Sequence, residues 1–150
     1  MYNLRVMNLD AVDKAIIKQL QDNGRVTNKK IAEILNLSEG TIRNRIRRLT
    51  ESNILKIKGL INPEVEKEKQ LVYVMIKLSG NRNSLDVARK VAALEPIKSV
   101  SIIAGRYDLV AEIFIESHTL IEFLNTELAK IDSILTVESL MTLRNFDKWV

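Results

Sequence analysis

The chain has 150 residues, 46% of them hydrophobic and 28% charged, with five Gly and two Pro, and this balance excludes extended disorder and low complexity. It has no Cys and a single His, which excludes a disulfide framework and a thiol nucleophile and leaves almost no ligand set for zinc. We therefore expect no metal and no cofactor. Because no run approaches the roughly 20 apolar residues of a membrane span and no signal peptide precedes the first helical pattern, we also expect a cytoplasmic protein.

The positive charge is concentrated in the N-terminal part. Residues 1–63 carry twelve Lys and Arg against six Asp and Glu, whereas residues 64–150 carry eleven against thirteen. Such asymmetry is expected when a nucleic-acid-binding part is joined to a part with another task. It predicts double-stranded DNA as the partner of the N-terminal part.

Three short helices are predicted in this basic part. Asp10 is a good N-cap for the first, Thr27 can cap the second and Ser38 the third, since all three side chains can accept a hydrogen bond from the backbone. The third helix is expected to end at Asn53, a residue type that tolerates the left-handed conformation. The second and third helices are separated by a turn of about three residues, which is typical of a helix-turn-helix.

The third helix, "SEGTIRNRIRRL", has two different faces. Ile42, Ile46 and Leu49 form a narrow apolar stripe that must face the other helices. The opposite face shows no acid, and Arg45 lies at its rim, where it can serve the fold or a phosphate. Solvated faces usually mix both signs of charge, so this face favours insertion into the major groove over a plain solvated surface.

Positions along this face predict how DNA would be contacted. Gly40 permits close approach of the backbone, and Thr41, Arg43 and Asn44 are placed for base edges, because Arg pairs with guanine and Asn with adenine. Phosphate contacts are predicted for Arg47 and Arg48 further along this helix, for Ser38 at its cap, and for Asn28, Lys29 and Lys30 at the start of the second helix.

The chain changes character after the third helix. "ILKIKGLIN" alternates weakly and predicts an extended strand, and "PEVEKEKQ" predicts a solvated linker. We therefore expect a DNA-binding domain at 1–53, a linker strand and hinge at 54–70, and a second domain at 71–150.

The second domain predicts the order β-α-β-β-α-β, which is that of a ferredoxin-like antiparallel sheet with two helices on one face, so the whole chain is α+β. The segments are "LVYVMIKLS", "SLDVARKVAAL" capped by Ser84, "IKSVSIIAG", "YDLVAEIFIES", "HTLIEFLNTELAKI" and "ILTVESLMTLRNF". Alternate residues of the first strand lie on opposite faces, with Val72, Val74 and Ile76 on one and Tyr73, Met75 and Lys77 on the other. Helices cover one face, and we expect a second subunit to cover the other.

The sequence resembles the Lrp/AsnC family, the leucine-responsive and asparagine-responsive transcription regulators of bacteria and archaea. "LDAVDKAIIKQLQDNGR", "IAEILNLSEGTIRNRIRRL" and "SVSIIAGRYDLV" carry the resemblance, which covers nearly the whole chain. It implies a winged or simple helix-turn-helix joined to a regulator-of-amino-acid-metabolism (RAM) domain, a homodimer that assembles into tetramers or octamers, and a small amino acid bound between dimers. Asn53 stands where the family usually has Gly, and "EKEKQ" stands where it tends to have a linker Gly.

The loop "AGRYD" joins the two central strands of the predicted order and is the candidate effector site. Gly105 can offer backbone N–H groups to a carboxylate, Asp108 can hold an α-ammonium group or simply cap a turn, and Tyr107 can form an apolar wall. Arg106 could compensate the aspartate and exclude a cationic ligand. Together with the residues that the resemblance implies, the predicted effector set is Ile102, Ala104, Gly105, Arg106, Tyr107, Asp108, Ile121, Asn125, Val137, Glu138 and Ser139.

Two other classes of function stay open at this point. A non-specific DNA-organising protein without effector would show no preference among sequences. An amino-acid-regulated metabolic enzyme would need a nucleophile and a base in one constellation, which the single His118 and the scattered carboxylates do not supply. We therefore predict a sequence-specific DNA-binding transcription regulator, responsive to an amino acid, and not an enzyme.

Overall fold

A computed structural model describes residues 8–80 and 83–150 of the chain. Contacts divide it into two units, of which the first ends at Gly59 and the second begins at Leu60. Residues 1–7 of the predicted DNA-binding domain lie outside the described residues. No helix in the described part is long and apolar enough to cross a membrane.

The first unit contains the three predicted helices. They are α1 (Ala11–Asp22), α2 (Asn28–Leu35) and α3 (Glu39–Glu51). The predicted caps are confirmed: the side chains of Asp10, Thr27 and Ser38 each accept a hydrogen bond from the backbone N–H three residues later, at 2.8, 3.1 and 3.1 Å. Asn53 has a φ of 55°, as expected for the residue that closes α3.

The three helices share one small core. Ile16 of α1, Ile31 of α2 and Ile42 of α3 are fully buried and in mutual contact as one cluster. Leu49 is also fully buried and Ile46 packs against the cluster, so the predicted apolar stripe of α3 is confirmed. The core fixes the rotation of α3 about its own axis and hence the face that it turns to solvent.

The predicted extended strand over residues 54–62 is wrong. A strand is defined by ladder hydrogen bonds to a neighbouring strand, and the described sheet consists of four strands that all lie after residue 68. Within this segment, Ile61 exchanges two backbone hydrogen bonds with Val150, each 3.1 Å long. The described part of the first unit contains helices and no strand, so it is a simple helix-turn-helix without a wing.

The second unit has the predicted ferredoxin-like order. Its elements are β1 (Lys69–Leu78), α4 (Ser84–Ala92), β2 (Ile97–Ile102), β3 (Leu109–Glu116), α5 (Leu120–Phe123) and β4 (Ile134–Met141). The four strands form one antiparallel sheet in the spatial order β2-β3-β1-β4. Val74 of β1 lies opposite Ala111 of β3 and Ser139 of β4, which places β1 at the centre.

Two details of the helices differ from the prediction. Asn83, not Ser84, caps α4, since its side chain accepts a 3.1 Å hydrogen bond from the N–H of Leu85. The last helix is α-helical only over α5 and continues as a π-helical turn, Leu124–Leu128. In this turn the N–H of Ala129 donates to the carbonyl of Leu124, five residues earlier, at 3.1 Å, and the hydroxyl of Thr126 donates to the carbonyl of Glu122 at 2.7 Å.

The two faces of the sheet are covered differently. Val72, Val74 and Ile76 are fully buried against the helices, as predicted. On the other face Tyr73 and Met75 are only half-buried, and they do not belong to the core cluster that the described helices of this unit form with the sheet. The chain's own C-terminal residues cover part of this face, where Lys148 contacts Glu112, the register partner of Tyr73, at 2.7 Å.

The core of the first unit can be tested by truncation. We expect Ile42→Ala to lower the free energy of unfolding by about 2–5 kcal/mol, because it removes a fully buried side chain and leaves a cavity. Ile34→Ala is the matched control, since Ile34 is 48% exposed and should cost much less. Urea denaturation followed by circular dichroism measures both, and equal losses would contradict the assigned core.

Candidate nucleic-acid interface and effector loop

The residues predicted to read bases share the solvent-facing side of α3. Gly40, Arg43 and Asn44 are exposed, and Thr41 is half-buried. The hydroxyl of Thr41 lies 2.8 Å from that of Ser38, so the helix cap also orients this side chain. Around Gly40 the nearest atom to an added Cβ would be 3.9 Å away, which leaves the helix start open to another surface.

An acid borders the face that the sequence predicts to read bases. Glu39 in the first turn accepts a 2.7 Å hydrogen bond from Nη2 of Arg43, four residues later. The i,i+4 spacing places both side chains on neighbouring turns of one side of the helix. Arg43 is therefore held near the N-terminus of α3, beside the residues predicted to read bases.

The rim of α3 is fixed to α1 by an ion-pair cluster of Asp10, Asp13, Arg45 and Arg48. Nη1 of Arg45 lies 2.6 Å from Asp10 and 2.8 Å from Asp13, and Nη2 of Arg48 lies 2.6 Å from Asp13. Asp13 is 1% exposed and is the only charged residue among the described ones that is buried. The cluster is formally neutral, so two of the four arginines of α3 add little net positive charge to the unit.

Hydrogen bonds inside the cluster change the protonation equilibria of its members. The backbone N–H of Asp13 and, second, the guanidinium of Arg45 lower the pKa of Asp10. The two aspartates raise the pKa of Arg45, with Asp10 contributing most. Asp10 thus combines two roles, because the carboxylate that caps α1 also holds the rim of α3.

The residues predicted to contact phosphates differ in whether their charge is paired with an acid. Arg47 is exposed, and its Nη2 donates to the side-chain oxygen of Asn44 at 3.2 Å, while Lys29 is exposed at the start of α2. Lys30 lies 3.7 Å from Glu33 and also remains exposed. Arg48, in contrast, shares its charge with Asp13.

Sequence reasoning missed Glu39 and Asp13. The signal for Glu39 was its position four residues before Arg43. The signal for Asp13 was its place on the apolar side of α1, three residues before Ile16 and seven before Leu20, all of which are buried. A charge on a core-facing position requires a partner, and α3 supplies two.

The loop between β2 and β3 is anchored by Asp108. Its side chain accepts a 2.8 Å hydrogen bond from the N–H of Leu78 and lies 3.2 Å from Nζ of Lys77. These contacts, the Leu78 N–H first, lower the pKa of Asp108. Gly105 in the same loop has a φ of 143°, a backbone conformation that disfavours any side chain.

Tyr107 connects this loop to β4. Its hydroxyl donates a hydrogen bond to the carboxylate of Glu138, and this bond is the main reason that the pKa of Tyr107 is raised. The guanidinium of Arg106 lies 5.5 Å from the centre of the Tyr107 ring, within the range of a cation–π contact. Two parts of the predicted effector set, the loop and β4, are thereby brought together.

Some of the predicted effector residues border two cavities. Ile102 and Asp108 line one of about 450 Å³, together with Lys77. Asn125 and Val137 line another of about 340 Å³ between the π-helical turn and β4. Ile121 is 71% exposed and lines neither of these two, and Ala104 and Ser139 also border neither.

The geometry and the family comparisons agree on the kind of protein. Residues 9–50 match the model of the AsnC-type helix-turn-helix domain, and residues 71–148 match that of the Lrp/AsnC ligand binding domain. A helix-turn-helix with its outer face exposed, followed by a separate ligand-binding domain, defines a transcriptional regulator and not an enzyme. The chain belongs to the Lrp/AsnC family.

Individual relatives support this assignment. The chain is 36% identical to the HTH-type transcriptional regulator FL11 of Pyrococcus horikoshii, over 90% of this chain and 87% of the relative. It is 25% identical to the leucine-responsive regulatory protein of Rhizobium meliloti, over 92% and 91% of the two chains.

Two solved structures share the fold. The leucine response regulatory protein of Mycobacterium tuberculosis superposes with a TM-score of 0.78 at 23% identity and covers 93% of this chain and 96% of its own. A Neisseria meningitidis transcriptional regulator solved as a complex with L-Met superposes with a TM-score of 0.69 at 21% identity, covering 93% of both chains.

The anchoring role of Asp108 predicts a pH dependence. Because its folded pKa lies below the ordinary value of 3.8, its stabilising effect is present above that value and is lost as the pH falls through the lower folded value. We expect Asp108→Asn to lower the melting temperature at pH 6, and the difference from the parent to shrink on acidification. Thermal unfolding of the parent and the variant at several pH values measures this difference in melting temperature.

Asp132→Asn is the matched control, since it removes the same charge from an exposed loop residue. If both substitutions lowered the melting temperature equally at pH 6, Asp108 would not anchor the loop.

Proposed function

We propose that α3 is the DNA-reading helix of a sequence-specific transcriptional regulator. The observation that carries the proposal is the exposed side of α3, where Thr41, Arg43 and Asn44 project beside Gly40 while the opposite side is locked into the core. An α-helix fits the major groove, and Arg and Asn match the acceptor and donor edges of guanine and adenine.

Phosphate contacts would hold α3 in register. Arg47 extends the exposed side of the helix, and Ser38 stands at its N-terminus. Asn28, Lys29 and Lys30 form the first turn of α2, where the N-terminal end of the helix and the positive charge of the two lysines favour an anion. Such contacts fix position and give the affinity its salt dependence, whereas base edges give specificity.

We propose further that the protein acts as a homodimer or a larger even-numbered assembly. The half-buried Tyr73 and Met75 and the 47% exposed Leu140 lie on the sheet face that carries no helix. A second copy of the sheet would cover this face. Two reading helices related by a two-fold axis would then require an imperfect palindrome.

The effector in this proposal is a small amino acid. The loop offers backbone around Gly105, a carboxylate at Asp108 and a ring at Tyr107, and the Tyr107–Glu138 contact places β4 beside it. The similarity to a Neisseria regulator that was solved with L-Met supports this class of ligand. An effector acts only if it binds two assembly states with unequal affinity.

The reading role of Arg43 is tested by substitution. We expect Arg43→Ala to lose about 1–3 kcal/mol of discrimination at one base pair per half-site, because its bidentate contact to guanine is gone. Competition binding with single-base variants of a selected DNA sequence measures the loss. Arg89→Ala, which removes the same charge from α4, should leave the discrimination intact.

Unchanged discrimination by Arg43→Ala would remove Arg43 from the reading set. If the parent itself preferred no sequence in competition with bulk DNA, the protein would be a non-specific DNA organiser.

The effector proposal predicts a change of assembly. We expect one of the twenty amino acids to change both the light-scattering mass and the DNA footprint of the parent, and Tyr107→Ala to need more of that amino acid for the same change. No change with any amino acid would contradict the effector role and leave a constitutive regulator.

A further inference from the structure

We propose that Asp13 is a positioning residue for DNA binding, which acts by holding Arg48 ready for a phosphate. The inference rests on the proposed function, because it assumes that α3 faces DNA. It differs from that proposal in assigning a role at the interface to a residue that no DNA could reach, since Asp13 is 1% exposed.

The carboxylate of Asp13 is bonded to both arginines at once. Oδ1 accepts from Nη1 of Arg45 at 2.8 Å and Oδ2 accepts from Nη2 of Arg48 at 2.6 Å. Asp13 itself is held at the start of α1, where its N–H donates to the capping side chain of Asp10. The position of the carboxylate is therefore fixed by the fold, and it fixes the direction of both guanidinium groups.

Arg45 and Arg48 differ in exposure and in the number of carboxylates that they contact. The side chain of Arg45 is 26% exposed, and a single nitrogen of it contacts both Asp10 and Asp13, so it joins α1 to α3. The side chain of Arg48 is 49% exposed and contacts Asp13 through Nη2. A guanidinium has five N–H donors in a rigid fork, so one edge can stay on the carboxylate while another meets a phosphate.

The contact with Asp13 reduces the effective charge of Arg48 and at the same time orders its side chain. Asp13 offsets part of the positive charge of Arg48 and so weakens its long-range attraction to DNA. It also removes most of the rotamer freedom that a long side chain would otherwise lose on binding. At short range the ordered fork makes directed hydrogen bonds to a phosphate, which a freely moving arginine makes less often.

Asp13→Asn is the direct test, and Asp22→Asn is its control. Asn keeps the size of the side chain but presents an NH₂ group where one arginine needs an acceptor. Asp22→Asn removes the same charge from the same helix at an exposed position. Relative to this control, we expect Asp13→Asn to bind a selected DNA sequence about three- to tenfold more weakly, as the lost side-chain order implies.

The same pair is then compared in an Arg48→Ala background. If Asp13 acts through Arg48, Asp13→Asn has no further effect on DNA affinity there, although it still lowers thermal stability. The proposal is overturned if Asp13→Asn binds as tightly as Asp22→Asn, or if it weakens binding equally with and without Arg48.

Arg48→Lys tests the inference without disturbing Asp13. Lysine keeps the charge but has one compact head that cannot serve the carboxylate and the phosphate by separate edges. We expect about a three- to tenfold loss of affinity for Arg48→Lys, against no loss for Arg25→Lys at an exposed site before α2. Parent-like binding by Arg48→Lys would show that charge alone matters, whereas no selective binding by the parent would instead refute the proposed function.

Discussion

A buried carboxylate on α1 meets two guanidinium groups of α3, and the orientation of the basic surface depends on this contact. Burying Asp13 without partners would cost several kcal/mol, so the folded first unit favours Arg45 and Arg48 directed toward α1. The arginines that remain free of α1, Arg43 and Arg47, lie on the outer side of α3. The cluster thereby fixes the directions of Arg45 and Arg48, and the side chain of Arg48 stays 49% exposed, so that it can still meet a phosphate.

The second unit depends in a similar way on its central strand. β1 is bonded to β3 on one side and to β4 on the other, and its last residues, Lys77 and Leu78, hold the carboxylate of Asp108. The candidate effector loop is therefore built onto the middle of the sheet and not suspended at an edge. Tyr107 links this loop to the edge strand β4 through Glu138. A ligand that displaced this hydrogen bond would therefore remove a contact between the loop and β4.

Local patterns predicted most of the fold, because caps and apolar periodicity are encoded in neighbouring residues. Asp10, Thr27 and Ser38 cap the helices as predicted. Contacts distant in sequence were not readable: Asp13 lies 35 positions from Arg48, and nothing local indicates that they meet. The π-helical turn was also missed, because the apolar spacing of this segment is the same as that of a continuous α-helix. The roles of the site residues in binding DNA or an effector stay predictions.

The central claim is that the exposed side of α3 reads base sequence. Selection of bound fragments from a random pool of double-stranded DNA, performed with the full-length protein at physiological salt, tests it most directly. We expect enrichment of one imperfect palindrome whose half-sites are about one helical turn, or a multiple of it, apart. Recovery of an unenriched pool, with binding that depends on salt but not on sequence, would contradict it.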